Sequence, residues 1–383
     1  MRLLCILGLL LPALAPAQKF YTYVGRLDAS SVLLAWGTTQ GSGNTIGQGS
    51  ASHGRATVRI ADSALVESQK NWVVVSGLQP DTDYPYEVLL GGRRIGGAKI
   101  RTWPQEALKL AFFVIGDYGS GVSPQYEVAE AMRRVFEERQ AGDNPVRFVL
   151  TTGDNVYASR FWFGLHTNTG DRDRHWGSKF FRPYESLLNR IPFYPTLGNH
   201  DHQTESRRDM TVYLDNFFFP APHPAQYYRF SFGGLADFFA LDSTFLDIDG
   251  SEANSAGSRQ YQWLEDELSR SQAPWKIPYF HHPPFNAGPG HGSSLKPLQA
   301  FVDLFGRAGV KIAFNGHEHN FQWSEQDQAT RGVRYVITGA GGQLRSGDVR
   351  ASMQAAHIAG WAPQYHFLLV EIEDRNLAIH VLG

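Results

Sequence analysis

Five short segments of the chain set metal-binding side chains beside glycine or proline. They are Gly116-Asp117-Tyr118-Gly119, Gly153-Asp154-Asn155-Val156-Tyr157, Gly198-Asn199-His200-Asp201, His281-His282-Pro283-Pro284 and Gly316-His317-Glu318-His319. Carboxylate, imidazole and amide oxygen together suit a hard divalent or trivalent ion with open coordination positions, whereas a structural zinc site would favour cysteine. The single cysteine, Cys5, precedes all five segments. Two ions about 3.5 to 4 Å apart need one bridging carboxylate with separate ligands on either side, and these segments supply enough donors for both. One Gly-Asp pair or one lone histidine would be an ordinary turn or a satisfied side chain. Five such segments in succession point to a metal centre.

Each segment follows an apolar run, and those runs define the elements that must hold it. Residues 110–115 and 146–150 read as buried strands, each followed by Gly-Asp. Runs near 238–241, 277–280, 312–314 and 335–337 read as further strands, and 261–268 and 298–305 as helices. Another helix is expected to reach Arg139, with Ser123 as its N-cap and Pro124 in its first turn. The segments 367–372 and 377–382 alternate like a closing hairpin. Alternation of strand and helix from about residue 106 is the α/β signature, and in such sheets ligands collect at the carboxyl ends of the strands. Residues 18–105 differ: they are rich in Gly, Ser, Thr and Val, with short alternating runs at 31–36 and 56–60 that predict a small β-sandwich.

The charge balance is nearly even, 35 Lys+Arg against 37 Asp+Glu, which argues against a nucleic-acid or polybasic membrane partner. With 42% hydrophobic and 19% charged residues, the chain has the makings of a large core. Met1-Arg2, the apolar run 3–14 and the small residues Ala15 and Ala17 predict a secretory signal peptide cleaved after Ala17. That run is shorter than the roughly 20 residues a spanning helix needs, so no membrane anchor is expected. The mature chain, secreted or periplasmic, would carry no thiol, leaving core burial and bound metal to stabilise it.

In the order and content of the five segments, residues 106–383 resemble the calcineurin-like metallophosphoesterases and, among them, the purple acid phosphatases. That superfamily usually has Asp-x-His in the first motif; here Gly119 stands where the histidine would be. Purple acid phosphatases make the same replacement and place a tyrosine three residues after the second motif's aspartate, where this chain has Tyr157. The segment 75–88, with its Pro80-Asp81 turn, resembles fibronectin type III domains, and the N-terminal module as a whole resembles that of plant-type members. The resemblance implies an α/β (α+β) four-layer sandwich, two β-sheets flanked by helices, preceded by a small all-β sandwich.

The resemblance also implies a ligand set. Asp117, Asp154, Tyr157 and His319 would hold Fe(III), and Asp154 would bridge to a divalent Fe, Zn or Mn ion held also by Asn199, His281 and His317. In the fourth motif, His-x-Pro followed by an aromatic residue favours His281 on the family's spacing, while the count to His291 favours His282. His200 and His291 match positions that contact phosphate and protonate the leaving group; Gly292 stands where plant-type members often have a second histidine. The expected reaction is hydrolysis of phosphate monoesters by in-line attack of a metal-bound hydroxide on a small phosphoester substrate. The same centre acting on phosphodiesters is the alternative, and a non-catalytic relic is a third reading that the intact ligand set opposes. There is no Gly-x-Ser-x-Gly elbow and no phosphate-binding Gly-x-x-x-x-Gly-Lys loop. Asp171-Arg172-Asp173-Arg174 reads as a solvated loop, Phe161-Trp162-Phe163 as core or pocket wall, and His202 as support or solvent-facing. His53, His166, His175, His223, His357, His366 and His380 have no motif context.

Overall fold

The computed structural model describes residues 19–39, 46, 52–61, 64–158, 175–201, 216–218, 226–244 and 255–383. The expected signal peptide at 1–17 with Cys5, the cluster 161–163, the charged stretch 171–174, and His166, His202 and His223 lie outside these residues.

Among the described residues, seven strands precede residue 105: β1 (Phe20–Leu27), β2 (Ser31–Thr38), β3 (Ala56–Ile60), β4 (Ala64–Ser68), β5 (Trp72–Ser76), β6 (Asp83–Leu90) and β7 (Arg93–Arg101). They pair antiparallel into a sheet of order β1-β2-β5 and another of order β4-β3-β6-β7. β3 shows why the sequence alternates: Ala56, Val58 and Ile60 are buried, while Arg59 points out and pairs with Glu87. The expected strands at 31–36 and 56–60 are present, and β1, β4, β5 and β7 add to them.

The rest of the chain builds a mixed α/β sandwich. One sheet has the order β10-β9-β8-β18-β19, from β8 (Lys109–Ile115), β9 (Val146–Thr151), β10 (Phe193–Pro195), β18 (Phe367–Glu373) and β19 (Asn376–Leu382). The other has the order β11-β12-β13-β14-β16-β15-β17, from β11 (Tyr228–Phe232), β12 (Ala236–Ala240), β13 (Trp275–Tyr279), β14 (Ile312–Asn315), β15 (Phe321–Ser324), β16 (Arg334–Thr338) and β17 (Ile358–Ala362). β8, β9 and β10 run parallel, as do β12, β13, β14 and β16. β8 and β9 are buried at nearly every position because both their faces are covered, which is why they read as continuous apolar runs. The sheets meet through aromatic rings: Phe112 and Phe148 of one contact Phe238 of the other at 5.3 and 5.1 Å between centroids, in edge-on geometry.

The helix Ser123–Gln140 buries Val128, Ala129, Met132 and Phe136, a stripe at helical spacing. Its N-cap is Val122, not Ser123: the serine already lies in the first turn, and its Oγ donates to Glu127 Oε1 at 2.8 Å instead of capping. Pro124 sits in that turn as expected. The helix Arg259–Arg270 is capped by Ser258 Oγ, which accepts from Tyr261 N at 3.1 Å. The helix Leu295–Arg307 packs Leu298, Phe301, Val302 and Phe305 into a second apolar cluster. The N-terminal strands are tied to the later sheets by Arg147, which donates to Asp81 Oδ1 (2.8 Å) and Thr102 O (3.2 Å), and by the ring of Trp103 against Phe148 and Phe232. Among the described residues no helix is long and apolar enough to cross a membrane.

Candidate metal centre

The five segments follow the carboxyl ends of parallel strands drawn from both sheets. Asp117 follows β8, Asp154 and Tyr157 follow β9, and Asn199 and His200 follow β10 in the first sheet; His281 follows β13, and His317 and His319 follow β14 in the second. The turns are sharp enough that three of these residues take left-handed backbone: Asp117 (φ 54°), Asp154 (φ 51°) and His317 (φ 69°). Such conformations are costly for residues with a Cβ and persist where the surrounding structure enforces them. Glycines make room. A Cβ at Gly198 would overlap the Asp154 carboxylate, and one at Gly119 would overlap the Asn155 carbonyl, so no side chain fits at either position.

The donors form two triangles. In the first, Tyr157 Oη lies 3.1 Å from both Asp117 Oδ1 and His319 Nε2, and those two are 3.3 Å apart. In the second, His281 Nε2 and His317 Nδ1 lie 2.9 and 3.0 Å from Asn199 Oδ1 and 3.1 Å from each other. Donor atoms of Asp117, Asp154 and His281 all lie within 4.8 Å of one another, and the Asp154 charge also bears on Tyr157, so Asp154 meets both triangles. Its Oδ1 is 3.5 Å from His281 Nε2 and accepts the His200 backbone N–H at 2.9 Å. Edges near 3 Å are what neighbouring ligands have when each is about 2.1 Å from one ion. The donor set therefore fits two metal ions.

Tautomers agree with that fit. His281 Nδ1 donates to the Thr152 carbonyl at 2.8 Å, because a carbonyl can only accept, and this turns the Nε2 lone pair into the second triangle. His282 directs its Nδ1 to Ser243 Oγ at 2.9 Å, with its ring 4.5 Å from that of His317. The adjacent histidines thus face different partners.

Burial dominates the electrostatics. It pushes His281 and His319 down to about 4, with the Arg345 cation adding to the effect on His319, so both imidazoles are neutral near pH 7 with free lone pairs. Burial, then the neighbouring Asp154 charge, holds the Asp117 carboxyl well above its ordinary range. Burial also raises the Tyr157 phenol, followed by the charges of Asp117 and Asp154. A bound cation would reverse these upward shifts, since its charge favours carboxylate and phenolate.

Asn199, His200, His291, His317 and His319 are half-buried and form the open side, with Asp117, Asp154 and His281 buried beneath. The His200 ring sits 4.7 Å from that of Tyr157, and the His291 ring stacks on His317 at 3.8 Å.

Four residues with no role assigned from sequence hold this arrangement. Asp201 accepts from the backbone of Asn155 (3.0 Å) and Gly198 (2.9 Å), joining the β9 and β10 loops. Asn155 takes hydrogen bonds from Tyr118 Oη and Thr151 Oγ1. Glu318, wholly buried between two site histidines, accepts from the His291 backbone N–H at 2.7 Å and from Arg345. Three of the four lie inside the motifs, where a polar residue beside a ligand is a usable signal. Arg345 lies outside them, and no local pattern marks it.

Comparison with known proteins agrees with the geometry. Residues 110–321, more than half of the chain, match the family model for calcineurin-like phosphoesterases. Purple acid phosphatase 15 of Arabidopsis thaliana is 25% identical over 304 residues, covering 70% of this chain and 53% of that protein, so the match spans about half the relative's length. Two solved structures share the fold at 14% identity. The structure of PhoD has a TM-score of 0.68 and covers 94% of this chain and 88% of its own. Purple acid phosphatase PPD1 from yellow lupin (Lupinus luteus) seeds has a TM-score of 0.70, with coverage of 95% and 72%. With the sandwich fold and the family motifs in register, the chain belongs to the calcineurin-like phosphoesterase family.

Proposed function

We propose that the chain is a secreted or periplasmic acid phosphatase-like enzyme that hydrolyses phosphate monoesters at a dinuclear centre of Fe(III) and a divalent Fe, Zn or Mn ion. The observation that carries this reading is the pair of donor triangles with Asp154 between them. Asp117, Asp154, Tyr157 and His319 would hold the first ion, and Asp154, Asn199, His281 and His317 the second. Two such ions supply Lewis-acid charge at a phosphoryl group and lower the pKa of water. The Tyr157 oxygen would give the first cluster a hard anionic donor that suits a trivalent ion, and the name of the plant relative, purple acid phosphatase 15, supports the phosphatase reading.

The chain's own side chains do the rest. Asn199, His200 and His291 line the open side, where His200 is fixed by its backbone bond to Asp154 and His291 by its stack on His317. In this reading they hold phosphoryl oxygens, and the two imidazoles stabilise developing charge and pass a proton to the departing alkoxide. Residues 18–105 would form a fibronectin type III-like module and 106–383 the catalytic domain, with residues 1–17 removed on export. The test is kcat/KM for an aryl phosphate monoester beside the matching diester, on protein reconstituted with iron plus zinc or manganese. A strong monoester preference is expected. A diester preference would retain the metal assignments and replace the phosphatase with a phosphodiesterase.

A further inference from the structure

His291 is held from two sides by Glu318 and Arg345, whose side chains supply no donor atom to either triangle. Glu318 Oε2 accepts from the backbone N–H groups of His291 (2.7 Å) and Gly290 (3.1 Å), and Glu318 Oε1 accepts from Arg345 Nη1 at 3.3 Å. The same Nη1 lies 2.9 Å from His291 Nδ1. The Arg345 guanidinium approaches Gly290 so closely that a Cβ there would overlap it, and the Arg345 backbone N–H donates to the His319 carbonyl at 2.8 Å. On its other face the His291 ring stacks on His317 at 3.8 Å and 18° between planes.

A guanidinium can only donate, so His291 Nδ1 must accept, and the proton of the neutral ring sits on Nε2. We propose that Arg345 and Glu318 are positioning residues for His291: Glu318 sets the height of its loop, and Arg345 fixes its tautomer so that Nε2–H is the donor offered to the phosphoester. This rests on the phosphatase reading for the identity of the ligand, but the hydrogen-bond assignment stands apart from it. Without the arginine, the proton can occupy either nitrogen, and the ring loses the partner that sets its rotation.

The test combines a spectroscopic readout with a double-mutant cycle. In zinc-loaded protein carrying 15N-labelled histidine, the His291 signals, assigned by their absence in His291→Ala, should show an unprotonated Nδ1 and a protonated Nε2. Arg345→Ala should move that pattern towards a mixture of tautomers and lower kcat/KM for an aryl phosphate about 10- to 100-fold with metal content unchanged, the usual scale for losing a supporting partner. Arg345→Lys should recover part of the rate, and Arg345→Ala/His291→Ala should be no slower than His291→Ala alone. Fully additive losses would overturn the proposal, as would an unchanged 15N pattern or loss of metal in Arg345→Ala. Should Arg345→Ala fail to fold, Arg345→Met, which keeps the side chain's length and removes its donors, decides between the same outcomes by its 15N pattern. A wild-type enzyme that hydrolyses no phosphoester would defeat the phosphatase reading, while the 15N comparison would still decide the positioning.

Discussion

The two donor triangles differ in charge although each is drawn from both sheets. The first joins Asp117 and Tyr157 of the five-stranded sheet to His319 of the seven-stranded one, and both oxygen donors can become anions. The second joins Asn199 of the five-stranded sheet to His281 and His317 of the other, and all three are neutral at neutral pH. Asp154 meets both, with Oδ1 3.5 Å from His281 Nε2 and its charge acting on the Tyr157 phenol. On the proposed assignment the first would suit the harder, more highly charged ion and the second a borderline divalent one. Since neither triangle is complete without both sheets, the packing of Phe112 and Phe148 against Phe238 sets the donor spacing as well as the stability of the core.

The largest effect should come from the residue the triangles share. Asp154→Ala should lose both ions, and kcat/KM should fall by at least about a thousandfold, because more is lost than a single preorganised donor. Metal analysis of the purified variant checks this. Full occupancy of both sites would remove Asp154 as the bridge and erase the contrast between its role and that of the other donors.

The triangles should then separate under single substitutions. Tyr157→Phe removes the phenol oxygen from the first triangle alone, so the visible absorption of an iron-phenolate should vanish while the second ion stays. His281→Ala should do the converse: lose the second ion and retain the absorption. A Tyr157→Phe protein with an unchanged visible spectrum would take Tyr157 out of the metal shell, and loss of colour in His281→Ala would show that the triangles do not bind independently.

Much of this arrangement was legible in the sequence, since a strand buried on both faces is a short apolar run and the motif after it marks a carboxyl end. Residues 110–115, 146–150 and 312–314 all lie within observed strands, and 261–268 and 298–305 within observed helices. The strands β10, β15 and β17 were not legible, because their segments, Phe-Tyr-Pro, Phe-Gln-Trp-Ser and Ile-Ala-Gly-Trp-Ala, are too broken by proline, polar residues or glycine to read as apolar runs. The Ser123 cap failed because a serine before proline suits either the cap or the first turn, and here its hydroxyl found Glu127. The different partners of His281 and His282 depend on Thr152 and Ser243, which are 129 and 39 residues away, so spacing near the motif could not separate them. Arg345 reaches His291 across 54 residues, beyond any local pattern.

A smaller effect tests whether the site's histidines differ from an ordinary buried one. His281 and His366 are both fully buried, both donate Nδ1 to a backbone carbonyl (Thr152 at 2.8 Å, Gln364 at 2.9 Å), and burial pushes both down to about 4. They differ at Nε2, which in His281 faces the second triangle and in His366 has no hydrogen-bond partner. In metal-free protein each stays neutral when folded and takes up a proton when unfolded as the pH falls from about 6.5 to about 4, so unfolding becomes easier with acid. Each should contribute about 1.4 kcal/mol per pH unit within that window, and nothing above it. His366→Leu should make the pH dependence shallower by that amount in both metal-free and metal-loaded protein. Of these two, only His281 would share bound metal with the proton; the ion would lower its folded pKa further and, together with the other histidine ligands, extend the loss of stability below pH 4. Denaturant midpoints across pH 3 to 7 check both expectations. Parallel curves for wild type and His366→Leu would mean that His366 is protonated in the folded state, and identical acid limbs with and without metal would mean that the ion does not bind His281.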